Sequence, residues 1–315
     1  MFKLYYLLSC LFITSALARR PCINTTDLPA WSKRNLNTIQ RIYDLTIYPQ
    51  NAQIIAVGAS AVPVGLFNEN ATGRISPLGN FSKFTESIEY FFGLSPTPQT
   101  SAGVGFYAAD IVAYTSGCPD VATSVVYLRS GQVSENATLD RSQPTTTLSQ
   151  VAFWKFDDEG RVLFYQAWIP ELQKWVETAT GLNYSNSFLQ TAAENVLCSQ
   201  IQERCTGADQ QYTDGLSCAS ILASKPFGSF DEAWGDNVVC RIVHVLLTHV
   251  RPDVHCPHVG PLGGSPPNNF KCVDVNYTVD YFDDVALFGS ADKFKCNENP
   301  YTNYGHQFSL RDLLT

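Results

Sequence analysis

Leu36, Ile39, Ile42, Tyr43 and Ile47 recur at three- and four-residue spacing, which is one face of a helix. Asp27-Leu28-Pro29 precedes them, with a candidate cap and a first-turn proline. A glycine- and asparagine-rich stretch then runs to Asn80. A second helix is predicted from about Ser82, with Phe84, Ile88, Phe91 and Phe92 as its apolar stripe and Gly93 and Pro96 as its stop. After Pro98 the period drops to two. Residues 103–115, 121–129, 146–157 and 161–169 read as strands, the last two joined by the turn Asp157-Asp158-Glu159-Gly160.

That final hairpin is apolar on both faces. Val151, Phe153, Val162, Phe164 and Trp168 alternate with Trp154, Phe156, Leu163, Tyr165 and Ile169. A sheet with one wet face would alternate apolar with polar, so both sides of this one are expected to be covered. The helix pair is one cover. The other is the C-terminal part of the chain or a second copy, which makes a homodimer through the sheet a candidate partner.

Residues 171–178 read as a short helix, and 186–202, 215–224 and 236–249 as three more. From about 265 the chain is rich in Pro, Asn and aromatics, with turn signals and few periodic runs. No internal repeat, heptad, P-loop or nucleotide fingerprint is visible. Gly58-Ala-Ser60-Ala-Val62 fails the G-x-S-x-G pattern of a nucleophile elbow.

Composition narrows the function classes. Charged residues are 16% of the 315, apolar ones 45%, and the net charge is −8. Disorder needs less apolar content and more charge. A nucleic-acid binder needs a basic footprint, so nucleic acid is excluded as a partner.

Residues 1–18 read as a secretory signal: Lys3, an apolar run, then Ala16-Leu17-Ala18. The run is too short to cross a bilayer, which takes about 20 residues, and no membrane anchor is expected. The predicted location is extracellular. Six sequons agree with export, at Asn24, Asn70, Asn80, Asn136, Asn183 and Asn276. Beyond Cys10 of the signal lie Cys22, Cys118, Cys198, Cys205, Cys218, Cys240, Cys256, Cys272 and Cys296. In an oxidising compartment these are disulfide candidates, with one left over and connectivity open.

Helix, loop, helix and an antiparallel meander ending in FWKFDDEGRVLFYQAWIP (153–170) resemble the NTF2-like, SnoaL-like superfamily. The resemblance covers roughly residues 30–180. It implies an α+β fold in which a curved antiparallel sheet wraps helices into a cone with a pocket. The competing reading is an α+β sheet without one. The expected domains are the signal (1–18), an NTF2-like cone (19–182) and a disulfide-rich, mainly helical extension (183–315). Tyr107, Trp154, Tyr165 and Trp168 are the expected aromatic pocket residues.

The family includes isomerases, dehydratases and cyclases as well as binding domains. By resemblance, a pocket carboxylate or His, often with Tyr, would move a proton. Burial would raise such a carboxylate's pKa toward neutrality. Tyr43 and Asp44 on the first helix, Glu86 and Glu89 on the second, and Asp110 are the candidates. Asp110 stands out because Ala108-Ala109 and Ile111-Val112 flank it. No His precedes His244, so a histidine pair inside the cone is not expected.

His244, His249, His255 and His258 lie within 15 residues, beside Cys240 and Cys256. One reading is a metal site; the other is a disulfide-tied loop whose histidines bond to backbone. Apart from that candidate metal ion, no cofactor is implied. Three functions stay open: a pocket for a small apolar or carbonyl-containing molecule, an acid–base isomerase, dehydratase or cyclase, and an extracellular interaction protein with a filled cone.

Overall fold

A computed structural model describes residues 25–267, 269–279, 284–289 and 293–296. The expected signal segment, Cys22 and Asn24 lie outside these residues.

Helix α1 (Ala30–Asp44) buries Ile39, Ile42 and Tyr43 on the stripe the sequence predicts. Its polar residues are fixed by the sheet's loops: Asn35 Nδ2 donates to Pro119 O at 2.8 Å and Thr38 Oγ1 to Gly160 O at 3.1 Å. A short α2 (Gln50–Val57) follows. The stretch read as loop then forms two strands, β1 (Phe67–Ser76) and β2 (Gly79–Phe81). Their sequence hides them, because β1 carries Asn, Glu, Asn and Gly where strands usually carry branched side chains. Gly73 is required in β1: a Cβ there would lie 2.6 Å from the Phe81 ring and 2.7 Å from Tyr165 O.

Helix α3 (Lys83–Ile88) continues as a π-helical turn through Glu89–Gly93. Four strands follow: β3 (Val104–Cys118), β4 (Val121–Gln132), β5 (Thr146–Phe156) and β6 (Val162–Trp168). The sheet order is β2-β1-β6-β5-β4-β3, antiparallel throughout except for the parallel pair β1–β6. This is the α+β, NTF2-like arrangement the meander suggested, with helices packed in a sheet that carries register shifts in β1, β3 and β5.

Part of the interior is packed solid. Trp154 stacks on Phe91 and Tyr165 at centroid distances of 5.9 and 5.8 Å, those two rings lie 4.6 Å apart, and Tyr43 meets Trp154 edge-on at 6.0 Å. Burying such a cluster stabilises the fold by roughly 25 cal/mol per Å² of apolar area removed from water.

The C-terminal half adds α4 (Leu172–Thr180), α5 (Ser187–Arg204), α6 (Gly215–Leu222), α7 (Val238–Leu247) and α8 (Pro252–Val259). Strands β7 (Gly264–Ser265) and β8 (Asn269–Phe270) form a small hairpin, and α9 (Asp284–Phe288) follows. The segment around His255 is therefore a helix, not a loop. Pro252 at its start fits a first turn, where its missing N–H costs nothing.

Four disulfides hold this half: Cys198–Cys218, Cys205–Cys256, Cys240–Cys272 and Cys118–Cys296. The last ties the tail to β3 across 178 residues. The tail is the second cover of the sheet. Phe288 meets Phe164 at 5.5 Å, Phe294 meets Phe153 at 5.9 Å, and Asp284 bridges buried Arg74 and Lys293 at 3.0 and 2.7 Å. Among the described residues, no helix is long and apolar enough to cross a membrane.

Candidate functional site

The main cavity has a volume of about 270 Å³ and lies where the cone meets α4 and α7. The sheet contributes Phe106, Leu128, Leu148 and Gln150, α1 contributes Tyr43, and the π-helical turn Tyr90 and Phe91. Helix α4 adds Leu172, Trp175 and Val176, and α7 adds Ile242, Val243 and Leu246. α7 serves two cores at once: Val239, Val243 and Leu247 pack with the cone, Val238 and Val245 with α5 and α6.

No lining residue is an acid, a base or a histidine. The deepest polar contact is Tyr43 Oη donating to Gln150 Oε1 at 2.7 Å, fully buried. Burial pushes the Tyr43 phenol far above its ordinary value, so it stays protonated.

Sheet register decides where the predicted residues fall. Asp110 pairs with Tyr127, whose neighbour Leu128 faces the cavity. Side chains of paired residues share a face and successive ones alternate, so Asp110 points to the outer face. There, 2% exposed, it accepts from Arg129 Nε at 2.9 Å. The apolar neighbours in the sequence reflect β3's buried faces, not a pocket around the acid. Asp44 accepts from Gln40 at 2.8 Å and is not in the lining either. Of the three expected catalytic residues, only Tyr43 reaches the cavity.

The expected pocket aromatics are likewise elsewhere. Trp154 and Tyr165 are buried in the solid part of the cone, Trp154 Nε1 donating to Ser124 Oγ at 2.9 Å. Trp168 pairs with Val151, neighbour of inward Gln150, and so faces outward against Phe153 at 5.7 Å. Tyr107 sits half-buried in the register shift between Phe106 and Ala108. Alternation separates the faces of β5 and β6 at most positions, but the register shift at Lys155–Phe156 pairs Val162 with Phe156 on the inner face, where a strict period of two puts Val162 outside. Nor does the pattern show which inward residues border space. The cavity residues from α4 and α7 carry no motif, and only the apolar stripe of each helix could have pointed to them.

A second polar assembly lies behind the cavity wall. Tyr90 Oη is 3.0 Å from His244 Nε2, and His244 Nδ1 is 2.9 Å from Cys240 O. The carbonyl can only accept, so Nδ1 carries the proton and Nε2 accepts from Tyr90. Burial drives His244 well below the ordinary histidine value, which keeps it neutral. Tyr90 is raised by burial and by Glu86 and Glu89.

Glu89, Arg251, His255, His258 and Asn269 form a chain. Glu89 takes Arg251 with both carboxylate oxygens and lies 2.9 Å from His255 Nε2. Arg251 and His255 hold its carboxyl below the usual range against the opposing effect of burial. Asn269 Nδ2 donates to Val254 O at 3.0 Å, which turns its Oδ1 toward His258 Nε2 at 2.6 Å. His258 Nε2 is then the protonated nitrogen, and Nδ1 keeps a lone pair facing His255 Nδ1 at 3.3 Å. The chain closes when His255 carries both protons, one toward His258 and one toward Glu89. Burial pushes His258 down to about 3, which keeps it neutral.

The structure thus brings together three of the four expected metal-ligating histidines. His244, His255 and His258 are buried, the His258 ring lying 5.2 and 5.3 Å from those of His244 and His255, while His249 is exposed. Each buried ring is engaged by protein partners. The groups of three among the described residues close enough to share an ion are Cys240–His244–Cys272 and Cys118–Asp120–Cys296. Both include disulfide sulfurs, which are not thiolate ligands.

Residues 161–274 match the BfoA family C-terminal domain. The matched segment holds α4, α7, three of the four disulfides and all four clustered histidines. Two curated fungal proteins are similar over a longer stretch. "Aurasperone B biosynthesis cluster protein A" of Aspergillus niger is 27% identical over 243 residues, 74% of each chain. "Bifonsecin B biosynthesis cluster protein A" of Aspergillus brasiliensis is 27% identical over 271 residues, 80% of this chain and 84% of that one. Among solved structures, an NTF2-like protein of unknown function from Burkholderia pseudomallei K96243 aligns at 14% identity. It covers 45% of this chain and 97% of its own, with a TM-score of 0.30.

Proposed function

We propose that the protein binds a small, largely apolar or carbonyl-containing molecule in the cavity between the cone, α4 and α7. The observation that carries this reading is a hollow of about 270 Å³ with uncharged, mostly apolar walls around a buried Tyr43–Gln150 pair. A dry engineered cavity of about 150 Å³ accepts benzene, so this volume suits two fused rings. The similar Aspergillus proteins are named for biosynthesis clusters, which supports a ligand drawn from such a small-molecule route. The cone (19–182) and the extension (183–315) act as two parts of one binding unit. Export of that unit as a glycoprotein is supported by its disulfides and by exposed Asn70, Asn136, Asn183 and Asn276.

A second reading, acid–base turnover of the isomerase, dehydratase or cyclase kind, is favoured by one observation. Tyr90 borders the cavity and donates to neutral His244 behind it. In that reading the proton-handling group is this pair, since no carboxylate borders the cavity.

Calorimetric titration with 1-tetralone tests the binding reading. A saturable one-to-one isotherm is expected, lost in Val176→Trp, which fills the hollow. No binding of 1-tetralone, or binding indifferent to Val176→Trp, contradicts it.

A further inference from the structure

Polar groups around the cavity differ in whether their protons are already used. Thr46 Oγ1 donates to Tyr43 O at 2.7 Å, Ser95 Oγ to Phe91 O at 3.0 Å and Thr180 Oγ1 to Val176 O at 2.7 Å. Thr100 bonds to Thr97 at 2.8 Å. Tyr43 and Tyr90 donate to Gln150 and His244.

One amide donor is left over. The Tyr43 hydroxyl fixes the Gln150 amide by occupying its oxygen, and no described residue accepts from the Nε2 amino group, on a side chain that lines the cavity. Trp175 Nε1 also lacks a partner, but it has no accessible surface and so does not open on the cavity. An N–H facing an apolar hollow without an acceptor is costly, so the Gln150 amide calls for one. With no charged lining residue, neither a cation nor an anion finds a counter-charge.

We infer that Gln150 sets the ligand's chemistry, selecting a neutral fused-ring molecule whose carbonyl oxygen accepts from Gln150 Nε2. This rests on the proposed role of the cavity as a binding site, and it is tested apart from that role. Water-to-oil partitioning alone favours the hydrocarbon tetralin over its ketone 1-tetralone, because the carbonyl must be desolvated. An unspent donor reverses that order.

The experiment compares 1-tetralone, tetralin and 1-aminotetralin by calorimetry on the full chain. The ketone is expected to bind at least tenfold more tightly than tetralin, and the ammonium compound not at all. Gln150→Leu loses the amide and should lower the ketone-to-tetralin affinity ratio about tenfold. Thermal unfolding checks that the variant folds; should it not, the ketone-to-tetralin ratio of the unaltered protein carries the test. Tetralin binding as tightly as the ketone, or a variant that keeps the ratio, overturns the inference while the binding site stands. Failure of all three compounds to bind overturns both.

Discussion

Oε2 of Glu89 lies 2.9 Å from Nε2 of His255, joining two elements 166 residues apart in sequence. Glu89 belongs to the π-helical turn of the cone and His255 to α8, and both are nearly inaccessible, at 2% and 1%. With Arg251 and His258 this chain is a charged contact between cone and extension. Removing one partner of a buried pair leaves an uncompensated charge, which costs about 3–5 kcal/mol. Glu89→Leu is expected to destabilise the protein by that order. Glu89→Gln, which keeps an acceptor for Arg251, should cost less. Urea unfolding gives both numbers, and equal effects would show that charge is not what the site requires.

The same assembly makes stability depend on pH. Burial lowers His244 and His258 in the folded state, His258 to about 3, with His255 and Lys271 adding repulsion. A group whose folded pKa is depressed favours folding above its unfolded pKa, near 6.5 for histidine, and loses that contribution as pH falls. Stability should therefore decline from about pH 6.5 downward, by about 1.4 kcal/mol per pH unit for each of the two histidines. Glu89 acts in the same sense, below about 4.5, because its folded pKa is also lowered. Urea midpoints at pH 7.5, 6.5 and 5.5 should fall in that order. His258→Gln should flatten the trend, and a midpoint constant from pH 7.5 to 5.5 would refute it.

Asp110 gives the opposite contrast. Its partner Arg129 is a third exposed, so solvent screens the pair and its contribution is about 1 kcal/mol. Asp110→Asn should leave ligand affinity within twofold of wild type and lower stability only slightly. Titration of 1-tetralone against the variant decides this. A loss of binding would put Asp110 back in the site.

How much was legible in the sequence follows from the range of the forces involved. The stripe Ile39–Ile42–Tyr43 and the β5–β6 alternation are local patterns, and both predict what the chain forms. Strands β1 and β2 have no such pattern, because β1 is stabilised by pairing with distant β6 and by the close approach at Gly73. The cavity is less legible still. It depends on α7, more than 200 residues from the start of α1, reaching the cone's interior. Proximity of Cys and His in sequence suggested a metal site, while their folded partners are a disulfide, a carboxylate, an amide and a phenol.

Glycan occupancy is the remaining prediction, and the sequons differ in a way the motif does not reveal. Asn70, Asn136, Asn183 and Asn276 are exposed. Asn80 is mid-strand in β2, paired in register with Arg74, its carbonyl bonded to half-buried Lys271 and its Oδ1 buried. A glycan needs the side-chain amide in solvent, and here the residue is half-buried with its amide oxygen inaccessible, at the contact between β2 and the extension. Enzymatic deglycosylation in heavy-oxygen water, followed by peptide mapping of protein from culture medium, marks each occupied site. Label is expected at the four exposed asparagines and not at Asn80. Label at Asn80 would mean that the glycan is added before β2 docks and that this edge of the sheet packs differently. No label at any of the five would remove the support for passage through the secretory route.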